Sequence, residues 1–323
     1  MKIFVLDDYQ DVVRNLDCFS VLSGHDVKIF NQTYKNISHL AEQLKDAEAL
    51  ILIRERTIIN EALLSRLPKL KLISQTGKIS NHLDLSACIR HHVAVVEGIG
   101  SPVAPSELCW GLIMSASRHI PQYSVNLSKN IWQNSGSLGL GRTLNGLTIG
   151  IWGYGKIGQR IAQYAKAFDM KVLVWGSEPS REQAKSHGFN VAETKSAFFS
   201  ESDIVSLHLR LNDATRNCVT AADLAIMKPD SLFVNTSRAE LVESKALYKE
   251  LKANPGKRAS VDVFDVEPAS ILAEPLLTLP NVLCTPHLGY VEKNSYERYF
   301  KIAFENVIAF AQGRPQNLIN GKQ

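Results

Sequence analysis

The sequence predicts an α/β fold with two doubly wound parallel-sheet domains and an active-site cleft between them. Three observations support this prediction. Short apolar runs alternate with helical patterns along the chain, the alternation falls into two series, and the second series opens with a glycine-rich turn between a strand and a helix. Chains in which strands and helices alternate form parallel sheets that are covered by helices.

The first series predicts five strands joined by helices. The apolar runs are KIFVLDD, HDVKIFN, ALILIRE, LKLISQT and VAVVEG. Segments between them, such as ISHLAEQLKDA and NEALLSRLPKL, have apolar residues at spacings of three and four, which is typical of amphipathic helices. The series ends near residue 100.

The second series begins near Gly146 and predicts six strands. Its apolar runs are LTIGIWG, KVLVWG, DIVSLHL, SLFVNTS, ASVDVF and NVLCTPH. Between the two series, SELCWGLIMSASRHI predicts a long helix and NIWQNSGSLGLGRTLNG predicts a loop. The last helical segment, EKNSYERYFKIAFENVIAFAQG, has no strand after it. We expect it to return to the first domain, which then comprises residues 1–99 and 291–323, while the second domain comprises residues 100–290.

Composition and charge exclude several classes of protein. With 323 residues, 45% apolar and 21% charged, the chain has the composition of a soluble globular protein with two domains. The net charge of +4 is small and the basic residues are scattered, so we expect neither a nucleic-acid nor a membrane partner. The five cysteines lie far apart without metal-binding spacing. Neither a signal peptide nor an apolar span is apparent, and we expect a cytoplasmic protein without a bound metal.

The segment GIWGYGKIGQRIAQYAKAF contains the pattern GxGxxG at Gly153, Gly155 and Gly158. The three glycines of such a pattern permit a tight turn, the approach of backbone to a pyrophosphate, and close packing of the helix on the strand. The pattern follows the apolar run LTIGIW and precedes an amphipathic helix. A Rossmann-like dinucleotide site is therefore favoured over a glycine-rich turn without a ligand.

Charged residues follow three later strands, at the edge of the sheet where open α/β folds bind ligands. These residues are Arg238, Asp262 with Glu267, and His287. Histidine is suited to donate a proton to a carbonyl oxygen near neutral pH, and a neighbouring carboxylate such as Glu267 would fix its tautomer. Arg238 is suited to bind a substrate carboxylate with two hydrogen bonds. Each residue has a structural alternative, such as a helix cap, a solvated turn residue or a buried polar group, but their recurrence at successive strand ends favours a catalytic site.

The motifs GYGKIG, NTSRAELV, DVFDVEP and TPHLGY, in this order and spacing, resemble the D-isomer-specific 2-hydroxyacid dehydrogenase family. This family includes D-3-phosphoglycerate dehydrogenases and glyoxylate and hydroxypyruvate reductases. The resemblance covers nearly the whole chain and implies that Arg238, Glu267 and His287 are the catalytic residues. It assigns the following residues to the cofactor: Gly153, Tyr154, Gly155, Lys156, Ile157, Gly158, Gly176, Ser177, Glu178, Leu209, Thr215, Thr236, Asp262 and Gly289.

The resemblance also implies a substrate-binding, flavodoxin-like first domain and a homodimer. The loop QTGKISNHLD matches the family's substrate loop, so Gly77, Lys78 and Ile79 are expected to contact the substrate. The family dimerises through the nucleotide-binding domain with a helix that SELCWGLIMSASRHI resembles. The expected partners are therefore a small 2-oxo or 2-hydroxy acid and a second copy of the chain.

The sequence departs from the family where the cofactor ribose is bound. Many members have an acid directly after the second strand, whereas this chain has Gly176 and Ser177, with Glu178 displaced along the chain and Arg181 beyond it. An acid favours NAD and an arginine favours NADP. Because NAD use is widespread in the family, the sequence favours NAD, with NADP as the alternative.

The resulting hypothesis is an NAD(P)-dependent oxidoreductase that interconverts a 2-oxo acid and a D-2-hydroxy acid, with His287 as acid and base. The alternative is a non-catalytic, NAD-sensing binding protein of the corepressor type, since corepressors that resemble this family keep the same three residues.

Overall fold

The computed structural model describes residues 1–320 and divides into two compact units. The first unit comprises Met1–Ser101 and the segment that begins at Val291, and the second comprises Pro102–Tyr290. The last three residues of the expected first domain, 321–323, lie outside the described residues.

The first unit is a five-stranded parallel sheet flanked by helices. Its strands are β1 (Lys2–Val5), β2 (Asp26–Ile29), β3 (Ala49–Ile53), β4 (Leu72–Thr76) and β5 (Ala94–Glu97), in the order β2-β1-β3-β4-β5. Its first helices are α1 (Ile37–Leu44), α2 (Glu61–Leu64) and α3 (Leu85–Arg90). This strand order is the flavodoxin-like doubly wound order.

The central strands of this sheet are buried throughout because both of their faces are covered. Every residue of β3 and β4 is buried, as expected for a parallel sheet between two layers of helices. The side chains of Asn36, Asn60 and Asp84 accept hydrogen bonds from backbone amides of the first turns of α1, α2 and α3. Such N-caps satisfy amides that have no partner within the helix, and they define where each helix begins.

The second unit is a seven-stranded parallel sheet. Its strands are β6 (Thr148–Trp152), β7 (Lys171–Trp175), β8 (Asn190–Val191), β9 (Ile204–Leu207), β10 (Leu232–Asn235), β11 (Arg258–Val261) and β12 (Val282–Cys284), in the order β12-β11-β10-β9-β6-β7-β8. Its helices are α4 (Val103–Arg118), α5 (Ile120–Leu127), α6 (Lys156–Ala167), α7 (Glu178–Ser186), α8 (Lys195–Glu201), α9 (Ala221–Ala225) and α10 (Ala246–Ala253). The order is that of the Rossmann fold with one added strand, and it reverses between β6 and β9.

Both faces of the second sheet are packed against helices. In β7, Val172 and Leu173 point to opposite apolar layers, and in β10 Leu232 and Phe233 do the same. Neighbouring residues of a strand point to opposite faces, so two apolar layers require helices on both sides. The prediction of two doubly wound parallel-sheet domains is confirmed.

The final helix, α11 (Lys293–Ala311), belongs to the first unit, where it packs against β4. The Oγ of Ser74 on β4 donates a 2.9 Å hydrogen bond to the carbonyl oxygen of Ala303 on this helix. Within residues 1–320, no helix combines the length and apolar character needed to cross a membrane.

Candidate active site

The glycine-rich turn connects β6 to α6 at the carboxyl edge of the second sheet. Gly153 has a φ of 100°, and a Cβ atom there would lie 2.6 Å from the carbonyl oxygen of His208. A Cβ atom on Gly158 would lie 2.1 Å from the carbonyl oxygen of Gly153. In contrast, a Cβ atom on Gly155 would meet no described atom within 4 Å. Gly153 and Gly158 are thus required by packing, whereas Gly155 leaves open space beside the backbone, which suits the approach of a dinucleotide pyrophosphate.

The other expected cofactor residues at this turn differ in how far their side chains are exposed. The Tyr154 side chain is only 2% exposed, and its hydroxyl lies 3.0 Å from Nδ1 of His187, so only its backbone faces the turn. Lys156 is exposed at the start of α6, and Ile157 is half-buried against the core.

Three expected cofactor residues follow β9 and β10. Leu209 is half-buried in the apolar layer next to Gly153. The Thr215 Oγ1 donates a 2.6 Å hydrogen bond to the carbonyl oxygen of Arg210 and therefore stabilises the loop after β9. Thr236 is half-buried directly after β10.

Arg238 lies in a turn that the side chain of Asn235 stabilises with two hydrogen bonds to the backbone. Asn235 is 2% exposed; its Oδ1 accepts a 3.0 Å hydrogen bond from the Ser237 amide, and its Nδ2 donates a 2.8 Å bond to the carbonyl oxygen of Arg238. The hydroxyl of Ser237 donates to the carbonyl oxygen of Leu207 at 2.6 Å, which ties the turn to β9. The Arg238 backbone is therefore fixed by bonds that the motif NTSR itself supplies.

His287 and Glu267 form a hydrogen-bonded pair. The Nδ1 atom of His287 lies 2.8 Å from Oε2 of Glu267, and Oε1 of Glu267 accepts a 3.0 Å bond from the amide of Phe264. The anchored carboxylate accepts a hydrogen bond from Nδ1–H. The other ring nitrogen, Nε2, is therefore the one that gains and loses a proton. Among residues 1–320, Nε2 has no hydrogen-bond partner. A pair of this kind can hold a proton at Nε2 and deliver it.

The buried Asp262 holds the loop that carries His287. Its Oδ1 accepts hydrogen bonds from the hydroxyl of Thr285 at 2.6 Å and the amide of Leu288 at 2.8 Å, and its Oδ2 accepts from the amide of Gly289 at 3.0 Å. Burial raises the pKa of Asp262, and the hydrogen bond from Thr285 is the largest of the opposing effects. These bonds bracket His287 in the sequence.

This tether has an energetic role, because His287 has a left-handed backbone with a φ of 52°. For a residue other than glycine, this conformation costs about 1–2 kcal/mol. Hydrogen bonds to a charged acceptor each contribute roughly 1.5–3 kcal/mol, so the bonds to Asp262 outweigh the strain. Of the expected cofactor residues, Asp262 and Gly289 are thus also the residues that position His287.

A second histidine at a strand end, His208 after β9, was not among the predicted site residues. Its Nε2 lies 2.9 Å from the hydroxyl of Ser206, and burial lowers its pKa to about 4. His208 is therefore neutral near pH 7 and cannot supply the proton. The strand-end position in DIVSLHL was a signal for it, as it was for His287, but the sequence does not show the difference in environment.

The expected substrate residues lie in the first unit, in the loop after β4. Gly77 has a φ of 79°, and a Cβ atom there would lie 2.1 Å from a guanidinium nitrogen of Arg54. Lys78 forms an ion pair with Glu97, whose other carboxylate oxygen accepts a 3.2 Å bond from the Ile79 amide. The charge of Lys78 is thus neutralised by Glu97 at the end of β5, and the Ile79 amide already has an acceptor.

Within residues 1–320, no three histidine, cysteine, aspartate or glutamate side chains are grouped so that they could hold a metal ion.

Comparisons with known proteins place this site in a family. Residues 110–289 match the D-isomer specific 2-hydroxyacid dehydrogenase, NAD binding domain. The chain is 31% identical over 283 residues to a D-3-phosphoglycerate dehydrogenase of Methanocaldococcus jannaschii, with 87% of this chain and 53% of that protein covered. It is 33% identical over 291 residues to a glyoxylate reductase of Aeropyrum pernix, with 87% and 85% covered.

A solved structure of a phosphoglycerate oxidoreductase from Vibrio cholerae is 63% identical and superposes with a TM-score of 0.96 over 97% of this chain and 99% of that one. The chain belongs to the D-isomer specific 2-hydroxyacid dehydrogenase family and contains its NAD-binding domain. The predicted resemblance is thereby confirmed. The chain spans only about half the length of the Methanocaldococcus relative.

Proposed function

We propose that the protein reduces a 2-oxo acid to a D-2-hydroxy acid, or catalyses the reverse oxidation, with a nicotinamide dinucleotide. The observation that supports this most strongly is the His287–Glu267 pair at the carboxyl edge of a sheet that has an open glycine-rich turn. Family membership supports the same class of reaction.

The residues of the second unit fit the cofactor. At the strand-order reversal, on the carboxyl edge of the sheet, Gly155 leaves open space that would receive the pyrophosphate of the dinucleotide. Thr236, Asp262 and Gly289 lie on the loops that bind the nicotinamide half. When bound, the nicotinamide supplies the hydride that passes to the carbonyl carbon of the substrate.

His287 acts as the proton donor in the reductive direction. Its Nε2 gives a proton to the carbonyl oxygen as negative charge develops there, and the Glu267 carboxylate holds the other proton on Nδ1 and stabilises the charged ring. In the oxidative direction the same nitrogen accepts the proton from the hydroxyl group.

Arg238 binds the substrate carboxylate and polarises the carbonyl group. A guanidinium binds a carboxylate with two parallel hydrogen bonds, so it fixes the orientation of the carbonyl as well as its position. Gly77, Lys78 and Ile79 are the candidates for further contacts with the substrate. Glu97 forms an ion pair with Lys78 and accepts a hydrogen bond from the Ile79 amide. We therefore propose the Gly77 backbone as the main substrate contact in this loop.

A non-catalytic, NAD-sensing function is the alternative. The named relatives are a dehydrogenase and a reductase, and the enzyme class is therefore favoured. The difference can be measured directly, since a sensor binds the dinucleotide without consuming it.

The test is a panel of 2-oxo acids assayed with NADH and with NADPH. The panel contains glyoxylate, hydroxypyruvate, pyruvate and 3-phosphohydroxypyruvate, since relatives are named for phosphoglycerate and glyoxylate. We expect turnover of at least one acid and, for every chiral product, the D enantiomer. Dinucleotide binding without turnover of any acid would favour the sensor instead.

We also propose a homodimer formed through the second unit. Apolar side chains of α5 and the following loop are exposed to solvent: Ile120, Val125, Leu127, Ile131, Trp132 and Leu140. An apolar surface of this kind marks an interaction site. The predicted dimer helix, α4, directs Cys109, Leu112 and Ile113 into its own unit, so α5 and the loop provide the contact surface. Light scattering should give twice the chain mass, and a monomer at micromolar concentration would refute the proposal.

A further inference from the structure

The loop after β7, where the ribose of a dinucleotide lies in this fold, has the composition of a phosphate site rather than that of a ribose-diol site. The backbone amide of Gly153 donates a 2.9 Å hydrogen bond to the carbonyl oxygen of Trp175, so the end of β7 lies directly beside the glycine-rich turn. In NAD-selective sites, an acid at this strand end binds both ribose hydroxyls. Here the two residues after the strand are Gly176 and Ser177.

The nearest acid, Glu178, does not replace the missing carboxylate. It is the first residue of α7 and is exposed to solvent. An acid is favourable in the first turn of a helix without any ligand, so its presence has a structural explanation. Glu178 forms no ion pair with Arg181 among the described residues.

Arg181, in contrast, does not extend into solvent. Its guanidinium carbon lies 5.0 Å from the centre of the Trp175 indole ring, and the side chain is half-buried. Stacking on an aromatic ring restricts a guanidinium without occupying its hydrogen-bond donors. Arg181 is therefore positioned beside the strand end with donors available for an anion.

Two hydroxyl groups also lie near the end of β7. The Oγ atoms of Ser177 and Ser180 lie 3.2 Å apart, and a Cβ atom on Gly176 would lie 3.5 Å from Cβ of Ser180. Hydroxyl groups together with a stacked guanidinium bind a phosphate through several hydrogen bonds and offset its charge. An NAD ribose has no charge at this position and therefore gains no ionic interaction with the guanidinium.

The geometry points to a specificity site for the 2′-phosphate of NADP(H), formed by Ser177, Ser180 and Arg181. This inference rests on the proposed use of a nicotinamide dinucleotide at the second sheet. It departs from the sequence-based preference for NAD, because the stacking of Arg181 on Trp175 is visible only in the structure. The chain accepts NADP(H) in addition to NAD(H), and Arg181 is the main determinant.

The test measures binding of two adenosine fragments by isothermal titration calorimetry, without any turnover. The fragment 2′,5′-ADP carries the phosphate in question, and 5′-AMP lacks it. We expect the parent protein to bind 2′,5′-ADP at least tenfold more tightly than 5′-AMP. Arg181→Gln should remove most of this difference and leave the affinity for 5′-AMP unchanged, which also shows that the variant is folded.

Two further variants sharpen the result. Ser177→Asp places an acid after the strand and should weaken 2′,5′-ADP binding at least tenfold. Lys185→Ala, on the same helix but paired with Glu182, removes a positive charge away from the loop and should change neither affinity. Equal affinity of the parent for the two fragments, or a preference that survives Arg181→Gln, would overturn the inference. Failure of the 2-oxo acid panel would refute the proposed reaction but leave this binding result intact.

Discussion

Glu267 and His287 are 20 residues apart in the chain and are joined by a 2.8 Å hydrogen bond between Oε2 and Nδ1. The topology accounts for their meeting. Strands β11 and β12 pair in parallel, with Val261 opposite Cys284, so the loops that follow them leave the sheet at the same edge. The amide of Phe264 fixes the carboxylate, and Asp262 fixes the loop of the histidine.

Replacement of Glu267 by Gln should impair proton transfer by His287. The amide cannot stabilise a charged imidazole as the carboxylate does, and it does not fix which nitrogen of the ring carries the proton. We expect the reductive kcat/KM to fall at least about tenfold, which corresponds to about 1.4 kcal/mol. The measurement is kcat/KM from pH 5 to 9, with Glu182→Gln as the control in an exposed carboxylate. Superimposable profiles would remove Glu267 from the mechanism.

Replacement of Arg238 by Lys should impair catalysis although the charge is retained. An ammonium group cannot form the two parallel hydrogen bonds of a guanidinium, so the substrate carboxylate and the carbonyl lose their orientation. We expect kcat/KM for the 2-oxo acid to fall at least about tenfold, which corresponds to about 1.4 kcal/mol. Arg216→Lys, in an exposed arginine of the same unit, is the control. If both variants retain parental kinetics, the role of Arg238 is purely electrostatic.

The glycine-rich turn allows two substitutions with opposite consequences. Gly155→Ala should fold normally, because the added methyl group meets no protein atom, but it should weaken dinucleotide binding at least tenfold, because the methyl group occupies the pyrophosphate space. Gly158→Ala should destabilise the second unit, because its Cβ would lie 2.1 Å from a backbone carbonyl oxygen.

Calorimetric affinity and thermal unfolding of both variants separate the two effects. Unchanged dinucleotide affinity in Gly155→Ala would place the pyrophosphate elsewhere. An unchanged unfolding temperature in Gly158→Ala would contradict the packing role of that glycine.

His208 should make the second unit sensitive to acid. Burial lowers its pKa from 6.5 to about 4, so the folded state binds the proton less readily than the unfolded chain. Stability is therefore complete above pH 6.5 and is lost as the pH falls toward 4. Between pH 8 and pH 5 the loss from this residue is about 2 kcal/mol.

The variant His208→Gln should lose about 2 kcal/mol less than the parent over the same interval, since glutamine does not titrate. All four tryptophans of the chain lie in the second unit, so their fluorescence during urea unfolding reports on this unit. An equal loss of stability in parent and variant would show that His208 binds a proton as readily in the folded state as in the unfolded chain.

The sequence predicted most of the fold because burial on both faces makes parallel strands apolar. Each apolar run quoted for the two series overlaps a strand of the structure. The strand that was missed, β8, has only two residues, an exposed asparagine and a half-buried valine, at the edge of the sheet. A strand that contributes so little to the core leaves no apolar run in the sequence.

The candidate site was predictable only in part, because a motif shows which residues follow a strand but not what they contact. Glu267 was identified as the partner of His287 from its position alone, and the structure brings the two together. The hydrogen bonds by which Asp262 stabilises the His287 loop join residues that are distant in sequence. The hydrogen bonds of Asn235 in the Arg238 turn depend on the backbone geometry of that turn. The Trp175–Arg181 stack likewise depends on where α7 begins.

The central claim is that His287 transfers the proton when a 2-oxo acid is reduced. The most direct test is the turnover number of His287→Ala with the best substrate of the panel, together with the dinucleotide affinity of the same variant. We expect kcat to fall about a hundredfold or more, with the affinity nearly unchanged, because the ring acts on the substrate oxygen and not on the cofactor. A variant that keeps most of the parental kcat would contradict the assignment of His287 as the proton donor.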